Sequence, residues 1–278
     1  MPELPEVETM RRGVLGCIGT TILSVEKPAS RYRPLQMTPS WTTLRKKLVG
    51  RKVLDVRRLG KRVLLDLDDD HSLVFQPKMT GLLLVGKPPT PQHVRMVLAL
   101  DGERVPEITY WDSRGLGTIH YWSPGEVEEH LGDEMLGPDA IEVDWKTFKQ
   151  RFEHHRREIK PALLDQKLLA GVGNLYASEL LHRAHVHPRK LCTELNDQEW
   201  HRIHRSMLTI LLAAIQAEGS TLSDSTYLTS LSEPGSYQNQ HRVYDKENQT
   251  CSACGRGIVQ RIVQGQRSTF FCEVCQPR

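Results

Sequence analysis

Reactive and metal-binding residue types concentrate at the two ends of this 278-residue chain. It opens Met1-Pro-Glu-Leu-Pro-Glu6. Initiator methionine is normally trimmed before a residue as small as proline, which would leave Pro2 with a secondary amine. An α-amine titrates near about 7.7–8.0, so part of it is unprotonated and nucleophilic at neutral pH. Such an amine attacks a sugar or aldehyde carbon, and the cationic adduct then acts as an electron sink. Glu3 stands one residue away, where it can donate or shuttle a proton. At the other end, Cys251-Ser-Ala-Cys254 and Cys272-Glu-Val-Cys275 enclose 17 residues. Two Cys-x-x-Cys turns at that separation present four thiolates to one tetrahedral, structural zinc ion.

Between these ends, Asp165-Gln-Lys-Leu-Leu-Ala-Gly-Val-Gly-Asn174 leads into Leu-Tyr-Ala-Ser-Glu179. Gly171 and Gly173 let the backbone approach a ligand, and a helix starting at Asn174 offers N–H groups that suit a phosphate. The Gly-x-Gly also fits a helix-turn-helix joint or a nucleotide loop; no strand precedes it, which argues against a dinucleotide fingerprint.

The elements that must position these groups follow from periodicity. Val7, Met10 and Val14 have helical spacing, so the terminus leads into a helix whose positive end favours a carboxylate or phosphate. From about Thr20 to Trp122 the pattern is strand-like, with short runs at Val53–Val56, Val63–Leu67, Leu73–Phe75, Leu82–Val85 and Val94–Leu100. Successive short strands indicate a β-sandwich. From Asp144 the pattern turns helical: Trp145, Phe148 and Phe152 form one stripe, and Ile159, Leu163 and Leu164 another. Asn196 with Glu199 resembles a capping box ahead of a long helix that ends near Gly219.

Composition is that of a globular chain, with 38% hydrophobic and 26% charged residues. No apolar run approaches a membrane span and no signal-peptide pattern opens the chain, so a cytoplasmic protein is expected, nucleoid-associated if bacterial. Cys17 and Cys192 stand apart as buried thiols, and no secreted disulfide framework is indicated. The net charge of +3 is small, but between Arg151 and Lys190 eight Lys/Arg face four Asp/Glu. A local basic surface suits polyanion binding that must also release.

The run Met1–Glu8, the run Gly171–Glu179 and the four-cysteine ribbon occur in the order seen in the formamidopyrimidine-DNA glycosylase family, relatives of endonuclease VIII, which the chain resembles over nearly its whole length. Leu4 and Val7-Glu8 resemble the formamidopyrimidine branch. The resemblance implies a multi-domain α+β fold, divided as residues 1–136 (catalytic β-sandwich with leading helix), 137–225 (helix–two-turn–helix) and 226–278 (end of the recognition loop and zinc ribbon). It implies a monomer that acts on duplex DNA, excises oxidised purines and cleaves the strand. Pro2 would be the nucleophile and Glu3 the proton donor, with Glu6 orienting the terminus.

Other roles are carried over position by position. Lys61, in a Gly-Lys context, would contact a phosphate and the modified base. In Gln76-Pro-Lys-Met-Thr-Gly81, Gln76 replaces the family's histidine and can donate a hydrogen bond but carry no charge. Asp112-Ser-Arg-Gly-Leu-Gly117 departs from the usual Asp-Pro-Arg-Arg-Phe-Gly. Met79, Arg114 and Leu116 would fill the void left by the extruded base, and leucine cannot stack as phenylalanine does. Lys160, Asn174 and Arg267 would contact the DNA backbone, which positions without reading sequence. The ribbon is one residue longer than the commonest family spacing. The polar Gly219–Arg242 segment resembles the family's lesion-recognition loop, with Ser223 where lysine is frequent. Rival readings are the same chemistry on oxidised pyrimidines, a non-catalytic binder of damaged DNA, and a zinc-ribbon interaction protein.

Overall fold

A computed structural model describes residues 2–222 and 227–278. It divides into two units, the described residues of 1–132 with 215–238, and of 133–214 with 239–278.

In the first unit, helix α1 (Leu4–Val14) precedes two sheets. Strands β1 (Ile22–Glu26), β7 (Val94–Leu100), β8 (Glu107–Asp112) and β6 (Gly81–Leu84) form one, in that order. The other runs β2 (Gln36–Thr38), β9 (Thr118–Trp122), β5 (Ser72–Gln76), β4 (Arg62–Leu67), β3 (Val53–Leu59). Every pairing is antiparallel except β2 with β9. Inward residues of both sheets, among them Val56, Leu65, Phe75, Leu83 and Leu98, share one core with Val7, Met10 and Val14. This is the expected sandwich. Within its strand-like stretch the structure also forms helix α2 (Trp41–Leu48), which buries only Leu44 and Leu48 and ends in Arg45, Lys46 and Lys47. Helix α3 (Pro124–Leu131) starts on a Ser123–Glu126 capping box, and Leu131 packs with Trp122 on the outer face of the second sheet.

The second unit contains α4 (Trp145–Phe152), α5 (Ile159–Leu163), α6 (Asn174–Ala184) and most of α7 (Asp197–Gln216). Asp144 Oδ1 caps α4 by accepting from Lys146 and Thr147 N–H at 2.9 and 3.1 Å. The Asn196–Glu199 box forms, each backbone N–H bonded to the other's side chain. Between α5 and α6, Gly171 takes φ +105°, and its N–H donates to Gln166 Oε1 at 3.0 Å. Strands β10 (Val259–Gln264) and β11 (Arg267–Cys272) form the C-terminal hairpin. Among the described residues no helix is long and apolar enough to cross a membrane.

Helix α1 is buried around its first two turns, acidic residues included. Glu8 accepts from Arg11 Nη2 (2.8 Å), Arg12 Nε (2.9 Å) and Arg58 Nε (3.1 Å). Burial alone would raise its carboxyl, but the three arginines outweigh burial and hold it at about 2. A depressed acid stabilises the fold above its unfolded value of about 4.3 and loses that contribution as pH falls toward 2. Glu8→Gln should therefore lower stability by about 2–3 kcal/mol at pH 7 and by progressively less below pH 4. Denaturant titrations of both proteins across that window test this; a pH-independent gap would contradict it.

Candidate functional site

The acidic residues of α1 position its first residues. Pro2 and Glu3 are buried, and Glu3 is the N-cap. Its N–H donates to Glu6 Oε2 at 2.9 Å, while the other Glu6 oxygen accepts from Ser220 N–H at 2.9 Å. A Cβ at Gly219, which has φ +83°, would stand 2.9 Å from Glu6 Oε1. Tyr227 completes this corner by donating to Glu218 O at 2.9 Å; burial first, and Glu6 next, push its phenol well above the ordinary value. Glu6 thus fastens the head of α1 to the segment after α7. The flanks of the polar segment are anchored too, since Val85 and Gly86 N–H both donate to Ser230 O. Ser223 lies outside the described residues.

Glu8 extends this network to Lys61. Arg58 donates to Glu8 through Nε and to Gly60 O through Nη1, at 3.1 and 3.0 Å. Gly60-Lys61 is the two-residue turn joining β3 to β4, with Gly60 at φ +55°. The sequence places Glu8 in the opening family run without its bonding role and does not single out Arg58. Glu8 with Arg11 and Arg12 at i+3 and i+4 is a visible helical charge pattern; the Arg58 contact, 50 residues away, has no local signal.

A third node orders the loop carrying Arg114 and Leu116. Asp112 is fully buried, and its carboxylate accepts N–H groups from Arg114 (3.1 Å), Gly115 (3.0 Å) and Gly117 (2.8 Å), together with the Thr80 hydroxyl. Arg114 N–H also reaches Thr80 Oγ1, which draws Thr80 to the arginine's loop; Met79, next to it in the chain, is exposed. Arg114 is exposed and Leu116 half-buried. Gln76 pairs with Thr118, whose hydroxyl donates to Gln76 Oε1 at 3.3 Å. Gly117 has a steric cause: a Cβ there would lie 1.9 Å from Tyr110 Oη. At Gly115, which has φ +60°, a Cβ would stand 2.7 Å from Arg33 O, too close for a larger residue.

In the second unit, Lys160 is fully buried and its ammonium donates to Asn174 Oδ1 (2.6 Å), Thr269 Oγ1 (2.8 Å) and Ser268 O (3.3 Å). Asn174 Nδ2 donates to Ser268 O at 2.9 Å. Arg267 is exposed at the start of β11, directly after the Gly265-Gln266 turn. Lys160, Asn174 and the β11 start therefore form one cluster, with the lysine lying beneath.

The ligand atoms of Cys251, Cys254, Cys272 and Cys275 all lie within 4.8 Å of one another. The Cys251–Cys275 and Cys254–Cys272 sulfur separations are 3.8 and 3.9 Å. A tetrahedron with metal–sulfur bonds of about 2.3 Å has edges of about 3.8 Å, so the four cysteines fit one metal ion. Backbone N–H groups of Gly257 and Arg256 lower the Cys254 thiol, whereas burial raises those of Cys272 and Cys275. A further buried carboxylate, Glu179 of α6, accepts the backbone N–H groups of Arg242, Val243 and Tyr244 at 2.8–3.1 Å and ties the ribbon's approach to the helix.

A sandwich with a leading helix, a paired-helix module with a glycine-rich joint and a four-cysteine hairpin together define the class of multi-part proteins anticipated from the motifs. The comparisons make the family specific. Two family models match, the formamidopyrimidine-DNA glycosylase N-terminal domain over residues 1–119 and the formamidopyrimidine-DNA glycosylase H2TH domain over residues 136–226. The formamidopyrimidine-DNA glycosylase of Bacillus subtilis (strain 168) is 38% identical, with all of both chains covered. The crystal structure of the MutM (Fpg) protein of Thermus thermophilus superposes with a TM-score of 0.85 at 36% identity, covering 99% of this chain and 98% of that one. The Lactococcus lactis Fpg in complex with DNA containing an abasic site gives 0.86 at 32% identity, covering 99% and 100%. The chain belongs to the formamidopyrimidine-DNA glycosylase family.

Asp112→Asn would turn an amide toward donors that now meet a carboxylate. Denaturant unfolding should show a loss of about 2–3 kcal/mol, with Thr80→Val costing about 1. An Asp112→Asn protein as stable as the parent would remove Asp112 from its organising role.

Proposed function

We propose that the protein is a DNA glycosylase with apurinic/apyrimidinic lyase activity that removes oxidised purines, chiefly 8-oxoguanine and formamidopyrimidines, from duplex DNA as a cytoplasmic monomer. The observation that carries this reading is the buried Pro2–Glu3 pair, held at the head of α1 by Glu6. The family supports it, since relatives bear the glycosylase name and one solved relative holds abasic-site DNA.

In this reading the Pro2 amine, freed by removal of Met1, attacks C1′ of the flipped nucleotide. The glycosidic bond breaks, its electron pair leaving with the base, which takes a proton. Glu3 protonates O4′ as the sugar opens, and the C1′–N bond becomes an iminium. That cation withdraws electrons as a C2′ proton departs and the 3′ phosphate is expelled; a second elimination expels the 5′ phosphate. Lys61 contacts a phosphate and the modified base, and Gln76 a further phosphate. Met79, Arg114 and Leu116 fill the vacated stack, with Arg114 reading the orphaned cytosine. Asn174 and Arg267 meet the backbone, with the Lys160 charge supporting them from below. Cys251, Cys254, Cys272 and Cys275 hold one structural zinc ion, which stabilises the hairpin carrying Arg267.

Oxidised pyrimidines are the second reading. The Gly115 position leaves no room for the arginine that the family usually shows there, so the loop facing the opposite base differs from the family pattern.

Borohydride added to the protein with an 8-oxoguanine:cytosine duplex should trap a covalent adduct that Pro2→Gly abolishes while lesion binding persists. An adduct with thymine glycol duplex alone would move the substrate to pyrimidines. No adduct even with an abasic duplex, with Pro2 shown to be the free terminus, would sink the enzyme reading. Metal analysis should give one zinc per chain, and a strong chelator should lower the unfolding midpoint and abolish duplex binding. Full duplex binding by metal-free protein would contradict the zinc assignment.

A further inference from the structure

The second unit has a pocket of about 580 Å³ that the proposed reaction does not use. Arg183 and His185 border it from the C-terminal end of α6, Arg202 and Arg205 from α7, Arg242 from the approach to the ribbon, and Ser252 from the first cysteine turn. Four arginines thus line one concavity. Among the described residues, Arg202 alone has an ion-pair partner, Glu199 at 3.9 Å, and Glu199 is already bonded to Lys190 Nζ at 2.7 Å. Arg242 Nη1 reaches the Ser252 hydroxyl, at 3.4 Å.

Helix compensation explains one of these arginines. The C-terminus of α6 carries roughly half a negative charge, and Arg202 Nε caps it by donating to Ala184 O at 2.9 Å. Arg183, Arg205 and Arg242 exceed that need. Like charges gathered in a concavity raise the local potential and draw an anion. A guanidinium fork matches phosphate oxygens in pairs, and a chain of phosphates offers enough oxygens to engage several forks together; a lone carboxylate does not. The pocket also stands apart from the Lys160–Asn174 cluster. Asn174 opens α6 and Ala184 closes it, so about 15 Å of helix separates them.

We propose that this pocket is a second phosphate-binding site, which takes a di- or triphosphate group or consecutive phosphates of a nucleic-acid strand. Its chemistry is independent of the Pro2 reaction, so trapping on a short lesion duplex reports that reaction separately.

Calorimetry of the zinc-loaded protein with inorganic pyrophosphate should show one site, weakened at least tenfold in Arg183→Gln/Arg205→Gln. Zinc content and unfolding midpoint establish that the variant is folded; Arg205→Glu alone gives the same comparison without altering α6. Two duplexes then separate the sources. If a strand fills the site, the double variant loses affinity for a long duplex, its salt dependence falls by about two phosphates, and a duplex confined to the lesion binds as before. If a free polyphosphate fills it, both duplexes bind as before and only pyrophosphate is lost. Pyrophosphate binding that ignores the arginines overturns the proposal, and so does no pyrophosphate binding together with an unchanged long-duplex affinity.

Discussion

The head of the chain depends on two buried carboxylates of one short helix. An apolar stripe fixes which face of α1 meets the core, but a helix buried around its first two turns needs polar partners for its acids. Glu6 divides its oxygens between the Glu3 and Ser220 N–H groups, so the position of Pro2 is tied to a segment more than 200 residues away. Glu8 gathers Arg11, Arg12 and Arg58, and Arg58 carries the connection to the Gly60 carbonyl beside Lys61. Burying a charge is costly unless its hydrogen-bonding capacity is met, and here Arg11 also reaches the Val56 carbonyl and Arg58 the Gly60 carbonyl. The terminal residues and the Lys61 turn are therefore parts of one polar framework.

The same device recurs where regular structure gives out. Asp112 accepts three backbone N–H groups and a hydroxyl, and Glu179 accepts from three successive residues. A loop lacks the ladder that satisfies helix and strand amides, so a single buried carboxylate takes its place. Loops ordered this way present Arg114 and Leu116 on a rigid base, which reduces the conformational freedom lost when a ligand is bound.

These facts define what the sequence could reveal. Features set by neighbours a few residues apart were legible: the Val7–Met10–Val14 stripe, the β-runs from Val53 to Leu100, the Asn196–Glu199 box and the paired cysteines. Helix α2 was not, because eight residues with two buried leucines carry little periodic signal inside a strand-rich stretch. Nor was the parallel pairing of β2 with β9, since three residues of β2 leave no pattern from which to read a partner. For the candidate site, motifs named the candidate residues, and the quoted runs include Asp112 and Glu179, but the partners on which Arg58, Asp112 and Glu179 act are fixed only by the fold. Lys160 is the sharpest case: the resemblance implies a contact with the DNA backbone, and its side chain is fully buried, a state set by Asn174 and by a strand about 108 residues away.

That burial explains how a short hairpin can carry an exposed arginine. A two-stranded hairpin is marginal by itself in water. Strand β11 is anchored at both ends: Lys160 and Asn174 grip Ser268 and Thr269 just after Arg267, and Cys272 at the far end belongs to the four-cysteine cluster. Asn174 has its amide oriented by the same contacts, oxygen toward the ammonium and nitrogen toward the Ser268 carbonyl, which leaves one amide orientation compatible with both bonds. A lysine held in the open would lose side-chain freedom on meeting a phosphate; a buried one has lost it during folding. In the proposed function its charge would support a phosphate at the cluster from beneath, without having to move.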